Sequence, residues 1–91
     1  MSDVIKIYGT AWCPDCILAK QILKQHSVIY EWIDISGNHE AAVYVEKINN
    51  GNRSVPTIVF PDGSILTEPS KAVLEKKLET LRELKINYPS A

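Results

Sequence analysis

Apolar and polar positions change period several times along this chain of 91 residues, and each change marks an element. Val4-Ile5-Lys6-Ile7-Tyr8 is β-branched and aromatic, the composition of a strand, and Gly9-Thr10 end it. From Pro14 the repeat lengthens. Leu18, Ala19, Ile22 and Leu23 recur at helical spacing, while Lys20, Gln21, Lys24 and Gln25 fill the opposite face. Pro14 suits a first helical turn, where its missing N–H would have had no partner. Val28 to Ile35 returns to strand composition, and Ser36-Gly37-Asn38 offers the start of a second helix. There Ala41, Tyr44, Val45 and Ile48 share a face, and Asn49-Asn50-Gly51 stops the helix. Thr57 to Phe60 forms a short strand, Pro61-Asp62-Gly63-Ser64 turns the chain, and Ile65-Leu66 begins a fourth strand, so this pair reads as a hairpin. Beyond Pro69, Leu74, Leu78 and Leu81 stripe a third helix, with Val73 and Leu84 beside them. Lys71 with Glu75 and Glu79 with Arg82 stand at pairing distance on its solvated side. The final Asn87-Tyr88-Pro89-Ser90-Ala91 is expected to fray.

The order β-α-β-α-β-β-α predicts an α/β domain over residues 1–91: a four-stranded mixed sheet flanked by three helices on both faces. The helix between the first two strands makes them parallel, and right-handed crossover restricts the topology. That order matches the thioredoxin fold. Composition then narrows the chemistry. An apolar content of 45% with 23% charged residues is ordinary for a globular protein. A net charge of −1 gives no global field for nucleic acid or anionic lipid. No apolar run approaches the roughly 20 residues of a membrane span. Met1-Ser2-Asp3 lacks the basic start of a signal peptide, so a cytoplasmic location is expected. In that reducing compartment a cysteine pair is more often catalytic or metal-binding than a structural staple.

The chain has two cysteines, in Trp12-Cys13-Pro14-Asp15-Cys16, between the first strand and the first helix. A Cys-x-x-Cys at a helix start places one sulfur beside unpaired backbone N–H groups, and there thiolate, the attacking species in disulfide exchange, is favoured over thiol. Cys13 is the expected nucleophile, and Asp15, a second negative charge close by, works against its ionisation. Cys16 lies one turn inward, should remain a thiol until needed, and is the expected resolving residue. In the bland alternative Cys16 is only a small buried hydrophobe, and a second small thiol releases Cys13 directly. Neither His26 nor His39 stands at metal-ligand spacing to the cysteines.

Tyr8, Trp12-Cys13-Pro14-x-Cys16 and Ser54-Val55-Pro56-Thr57 together resemble the glutaredoxin family over nearly the whole chain. Gly51-Asn52-Arg53-Ser54-Val55-Pro56-Thr57 and Asp62-Gly63-Ser64-x-Leu66-Thr67-x-Pro69-Ser70 are most similar to its mycoredoxin group, which exchanges disulfides with mycothiol. The resemblance implies a redox-active centre for cell redox homeostasis and electron transport, a Val55-Pro56 bond that is cis and faces the active sulfur, and a Val55 backbone free to pair with extended substrate. It implies no tightly bound cofactor and a small thiol, mycothiol or glutathione, as co-substrate. Expected partners are disulfide-containing proteins or small-thiol mixed disulfides, and the protein is expected to be a monomer. Trp12, Pro14, Arg53, Val55 and Pro56 are the candidate substrate-binding residues. For Arg53 the forked guanidinium suits a carboxylate, against an exposed, solvated arginine; for Trp12 a docking wall stands against plain packing. Three departures bear on the thiol. Thr10 replaces the basic residue usual before the first cysteine, Asp15 replaces an aromatic, and Thr67-Glu68-Pro69-Ser70 replaces the Gly-Gly segment that receives glutathione. Two competing readings follow: a thioredoxin-like reductant recharged by a flavoprotein reductase, and an iron–sulfur or metal-binding module, for which two cysteines alone supply too few ligands.

Overall fold

The computed structural model describes residues 4–83, as β1 (Ile5–Gly9), α1 (Pro14–Gln25), β2 (Tyr30–Asp34), α2 (His39–Ile48), β3 (Thr57–Val59), β4 (Ile65–Thr67) and α3 (Lys71–Glu83). The strands form one sheet in the order β2-β1-β3-β4. β1 runs parallel to β2, with Ile7 opposite Trp32, and antiparallel to β3, with Ile7 opposite Ile58. β3 and β4 are the expected antiparallel hairpin. This is the thioredoxin fold that the element order implied. The segment expected to fray, 87–91, and Leu84 lie outside the described residues.

Strand pleating divides the interior in two. Ile5, Ile7, Ile58 and Phe60 point to one face and pack with Ile22 and Leu23 of α1 and with Leu74, Leu78 and Leu81 of α3. Tyr8 points to the other face, where Ile35 and Ala41, Ala42 and Val45 of α2 complete a smaller cluster. The starts of α2 and α3 and the end of α2 have local causes. Asn38 caps α2, its Oδ1 accepting the Ala41 N–H at 3.0 Å. Asn50 and Gly51, at φ 56° and 93°, then turn the chain out of α2 in the left-handed region that favours such residues. Ser70 Oγ accepts the Val73 N–H at 3.2 Å and begins α3.

Three apolar residues are more exposed than their spacing suggested: Leu18 at 41%, Tyr44 at 36% and Val73 at 48%. Each lies at the margin of its helix's stripe, because the arc that meets the sheet is narrower than the apolar pattern. In α1 it is centred on Cys16, Ala19, Ile22 and Leu23. Tyr44 still stacks on Tyr8, ring centroids 5.2 Å apart. β2 begins at Tyr30, so Val28 and Ile29 precede the strand. Charges on α3 pair across elements and not along the helix: Glu75 faces His26 at 3.6 Å, Lys77 meets Asp62 at 2.9 Å, and Arg82 donates to the His26 carbonyl at 3.2 Å. Exposed pairs within one helix contribute little, so nothing holds these long side chains to the expected geometry.

Candidate active site

Cys13 is the N-cap of α1, in extended backbone at φ −84° and ψ 117°. Its N–H donates to the Thr10 carbonyl at 3.3 Å, closing a tight turn out of β1, and Ile17 N–H begins the helical ladder on the Cys13 carbonyl at 3.1 Å. In this position the sulfur does the work that a serine or aspartate oxygen does at most helix starts. The Cys16 N–H donates to Cys13 Sγ at 3.2 Å. Pro14 follows at the first helical position, as its geometry requires.

One turn on, Cys16 is fully buried, whereas Cys13 is half-buried. Burial is the largest cause that pushes the Cys16 thiol up to about 12. Its hydrogen bond with Cys13 adds to the rise, a hydrogen bond with the Thr10 backbone opposes it, and the charges of Cys13 and Asp15 contribute further. Cys16 is therefore a protonated thiol at neutral pH, the state expected of an inner sulfur. Both cysteines are free. Asp15 is exposed to water beside them.

The Val55-Pro56 peptide is cis. It lies across from the cysteines: the Cys13 thiol is directed at the Val55 carbonyl, 3.9 Å from sulfur to oxygen. Cys13, Cys16, Pro14, Val55 and Pro56 thus converge at one end of the sheet. Trp12 stands beside them at 71% exposure, a projecting ring and not a packing residue. Arg53 has a partner on α2. Its Nε bonds the Glu46 carboxylate of α2, and its side chain is otherwise exposed.

Two residues that the sequence marked only as punctuation also build the site. Asn49, read there as a helix stop, uses its whole amide. Nδ2 donates to the Val45 carbonyl at 2.9 Å and to Thr57 Oγ1 at 3.1 Å, while Oδ1 accepts from Thr67 Oγ1 at 2.8 Å. Thr57, fully buried, donates in turn to the Ser54 carbonyl at 2.7 Å, and the Glu68 N–H donates to the Pro56 carbonyl at 2.8 Å. The cis loop is therefore pinned to α2 and to β4 from both sides. Gly9, read as the end of a strand, pairs with Asp34 inside β1 and packs directly on Cys16. Spacing signals neither residue, because their partners lie on other elements.

Among the described residues no group of three or more His, Cys, Asp or Glu side chains is placed to hold a metal ion, and no helix is long and apolar enough to cross a membrane. Chemically, the arrangement pairs an accessible sulfur receiving an N–H bond with a buried thiol one turn away. That combination suits disulfide exchange.

Comparison with known proteins points the same way. The sequence pattern of the glutaredoxin family matches residues 5–65. A Mycobacterium tuberculosis protein provisionally named a glutaredoxin is 43% identical over 78 residues, covering 86% of this chain and 93% of that protein. Mycoredoxin 1 of Corynebacterium glutamicum is 42% identical over 82 residues, 89% of this chain and 99% of that one. The crystal structure of a wheat glutaredoxin superposes with a TM-score of 0.74 over 99% of this chain and 86% of its own; at 17% identity that likeness shows the fold.

Proposed function

Because the chain belongs to the glutaredoxin family of thiol–disulfide oxidoreductases, we propose that it reduces protein disulfides or small-thiol mixed disulfides, with Cys13 as nucleophile and Cys16 as resolving thiol. One observation carries the assignment of roles: Cys13 Sγ is accessible and accepts the Cys16 N–H at 3.2 Å, while Cys16 is buried and protonated. The accessible sulfur therefore stands at the opening of α1 with the buried thiol one turn behind it.

In the first step Cys13 thiolate attacks one sulfur of the substrate disulfide. A Cys13–S–S–R bond forms, the substrate S–S bond breaks, and the other sulfur leaves as a thiolate that takes a proton from water. Cys16 then loses its proton, attacks Cys13 Sγ and releases R as its thiolate, leaving a Cys13–Cys16 disulfide. Two electrons have passed to the substrate. Two molecules of a small thiol restore the enzyme: the first opens the Cys13–Cys16 disulfide to a mixed disulfide on Cys13, and the second attacks its outer sulfur, frees Cys13 and leaves with it as the small-thiol disulfide. The Val55 carbonyl and the neighbouring loop offer backbone groups to an extended substrate, Pro14 and Pro56 shape the surface around the sulfur, and Trp12 forms an exposed wall for docking.

Kinship with mycoredoxin 1 supports mycothiol over glutathione as that thiol. So do Thr10 and Thr67-Glu68-Pro69-Ser70, which replace residues that glutathione-using relatives employ. The same departures favour a second reading, direct recharging by a flavoprotein reductase. The experiment offers oxidised protein mycothiol, glutathione, or thioredoxin reductase with NADPH, and counts free sulfhydryls. Mycothiol alone should restore both; restoration by the reductase alone would replace the first reading with the second. Cys13→Ser should abolish turnover, whereas Cys16→Ser should accumulate mixed disulfides on Cys13.

A further inference from the structure

Gly9 has no room for a side chain. A Cβ at this position would lie 2.6 Å from Cys16 Sγ and 2.8 and 2.9 Å from Cη2 and Cζ3 of Trp32. Backbone conformation is not the reason for glycine here, since the glycines at positive φ are Gly51 and Gly63. Space is the reason. Gly9 sits in register with Asp34 between β1 and β2, and its carbonyl accepts the Ile35 N–H at 2.9 Å, so the strand cannot easily back away. Trp32 is likewise confined: it packs on the larger core, and the Lys20 ammonium lies 4.1 Å from its ring centroid. The buried Cys16 sulfur and the rim of the Trp32 indole thus both border the space over the bare Cα of Gly9, and the Thr10 backbone and Cys13 meet the sulfur as well.

We propose that Gly9 and Trp32 form a slot that holds the Cys16 sulfur in line with Cys13, making Gly9 a positioning residue for the resolving step. This rests on the role given to Cys16 above. That step is an attack by one sulfur on another within the same molecule: the Cys16–Cys13 bond forms, the Cys13–S–R bond breaks, R leaves as thiolate, and the Cys16 proton passes to water. A thiol that is protonated at neutral pH presents little thiolate, so the rate depends heavily on alignment, and misplacement by about 1 Å can cost on the order of 100-fold. An added methyl must push aside either the sulfur or the indole. The sulfur, turning about a single bond, moves more easily.

The test is rapid mixing of the reduced protein with hydroxyethyl disulfide, with acid quenching and mass analysis. Attack by Cys13 appears as a phase that scales with disulfide concentration. Closure by Cys16 appears as a concentration-independent release of mercaptoethanol. Gly9→Ala should slow closure by about tenfold or more while altering the first phase by less than about twofold. In a Cys16→Ser background the same substitution should change nothing further, since the step it impairs is already gone. Native closure in Gly9→Ala, or equal slowing of both phases, would overturn the slot. Should Cys16→Ser itself still complete the second phase, the resolving role fails and the slot fails with it for that separate reason. If Gly9→Ala does not fold, Trp32→Leu opens the slot from its other wall. It should slow closure selectively, and native closure there would equally overturn the proposal.

Discussion

The two faces of the sheet are held by different physics. On the α1–α3 side eleven buried residues form an apolar cluster that includes Leu23, Leu74 and Leu81. On the α2 side the cluster has five, two of them alanines, and the Asn49–Thr57–Thr67 hydrogen bonds add what apolar area does not. The halves of the active site follow this division. Cys13 and Cys16 ride on α1, against the thicker core, whereas the Val55-Pro56 loop leaves α2 and is tied by polar bonds. An apolar core fixes position without direction. Hydrogen bonds fix direction, which is what a backbone presented to a substrate needs.

The largest test of this contrast lies on the thick side. Leu23→Ala should destabilise the fold by about 2–5 kcal/mol in denaturant titration, with little change in exchange rate per folded molecule. A drop in that rate would show that the core also aims the sulfur. On the thin side, Asn49→Ala leaves buried partners unpaired, at about 1–3 kcal/mol. It should raise KM for disulfide peptides more than it lowers kcat, because the loop it pins is the one proposed to present backbone to substrate; an unchanged KM would reduce Asn49 to a stability role.

Two smaller effects ask whether charge contributes on the apolar side. Burial would raise the Asp62 carboxyl, yet hydrogen bonds from the Ser64 hydroxyl and amide and from the Lys77 ammonium outweigh it and hold it at about 2. A carboxyl depressed below its unfolded value of about 3.9 contributes stability that is complete above that pH and is lost as pH falls through the folded value. Native protein should therefore lose more stability than Asp62→Asn between pH 5 and pH 2. The difference should be small, about 0–1 kcal/mol for so exposed a pair, and parallel urea midpoints would remove the pair from the account. Smallest is Lys20→Gln, which removes the cation over Trp32 and should cost about 0.5–1 kcal/mol in the same titration.

Periodicity revealed all seven elements, because Ile5 and Ile7, or Ile22 and Leu23, must face a core that alternation and helical spacing alone define. The cysteine pair and the Val-Pro bond were visible as short motifs. Two kinds of information were not. Leu18 and Val73 carry the right residue type at the edge of a stripe, and only the packed sheet determines how wide a stripe it covers. Gly9 and Asn49 look like punctuation because their neighbours in sequence are turns. Their meaning comes from Trp32, Thr57 and Thr67 on other strands. The ion pair of Arg53 with Glu46 is of the same kind, since nothing in the sequence links position 53 to α2.

Most helices begin on an inert oxygen, but α1 begins on the sulfur proposed as its nucleophile. In the proposed mechanism the atom that accepts the Cys16 amide proton is the one that changes bonding partner at each cycle. Thiolate, thiol and disulfide differ as acceptors, so the opening coil of α1 is tightened or loosened by the electron count of the protein. Amide exchange at residue 16 consequently records oxidation state at residue 13 with no label attached, and an oxidised sample should fray from this end first.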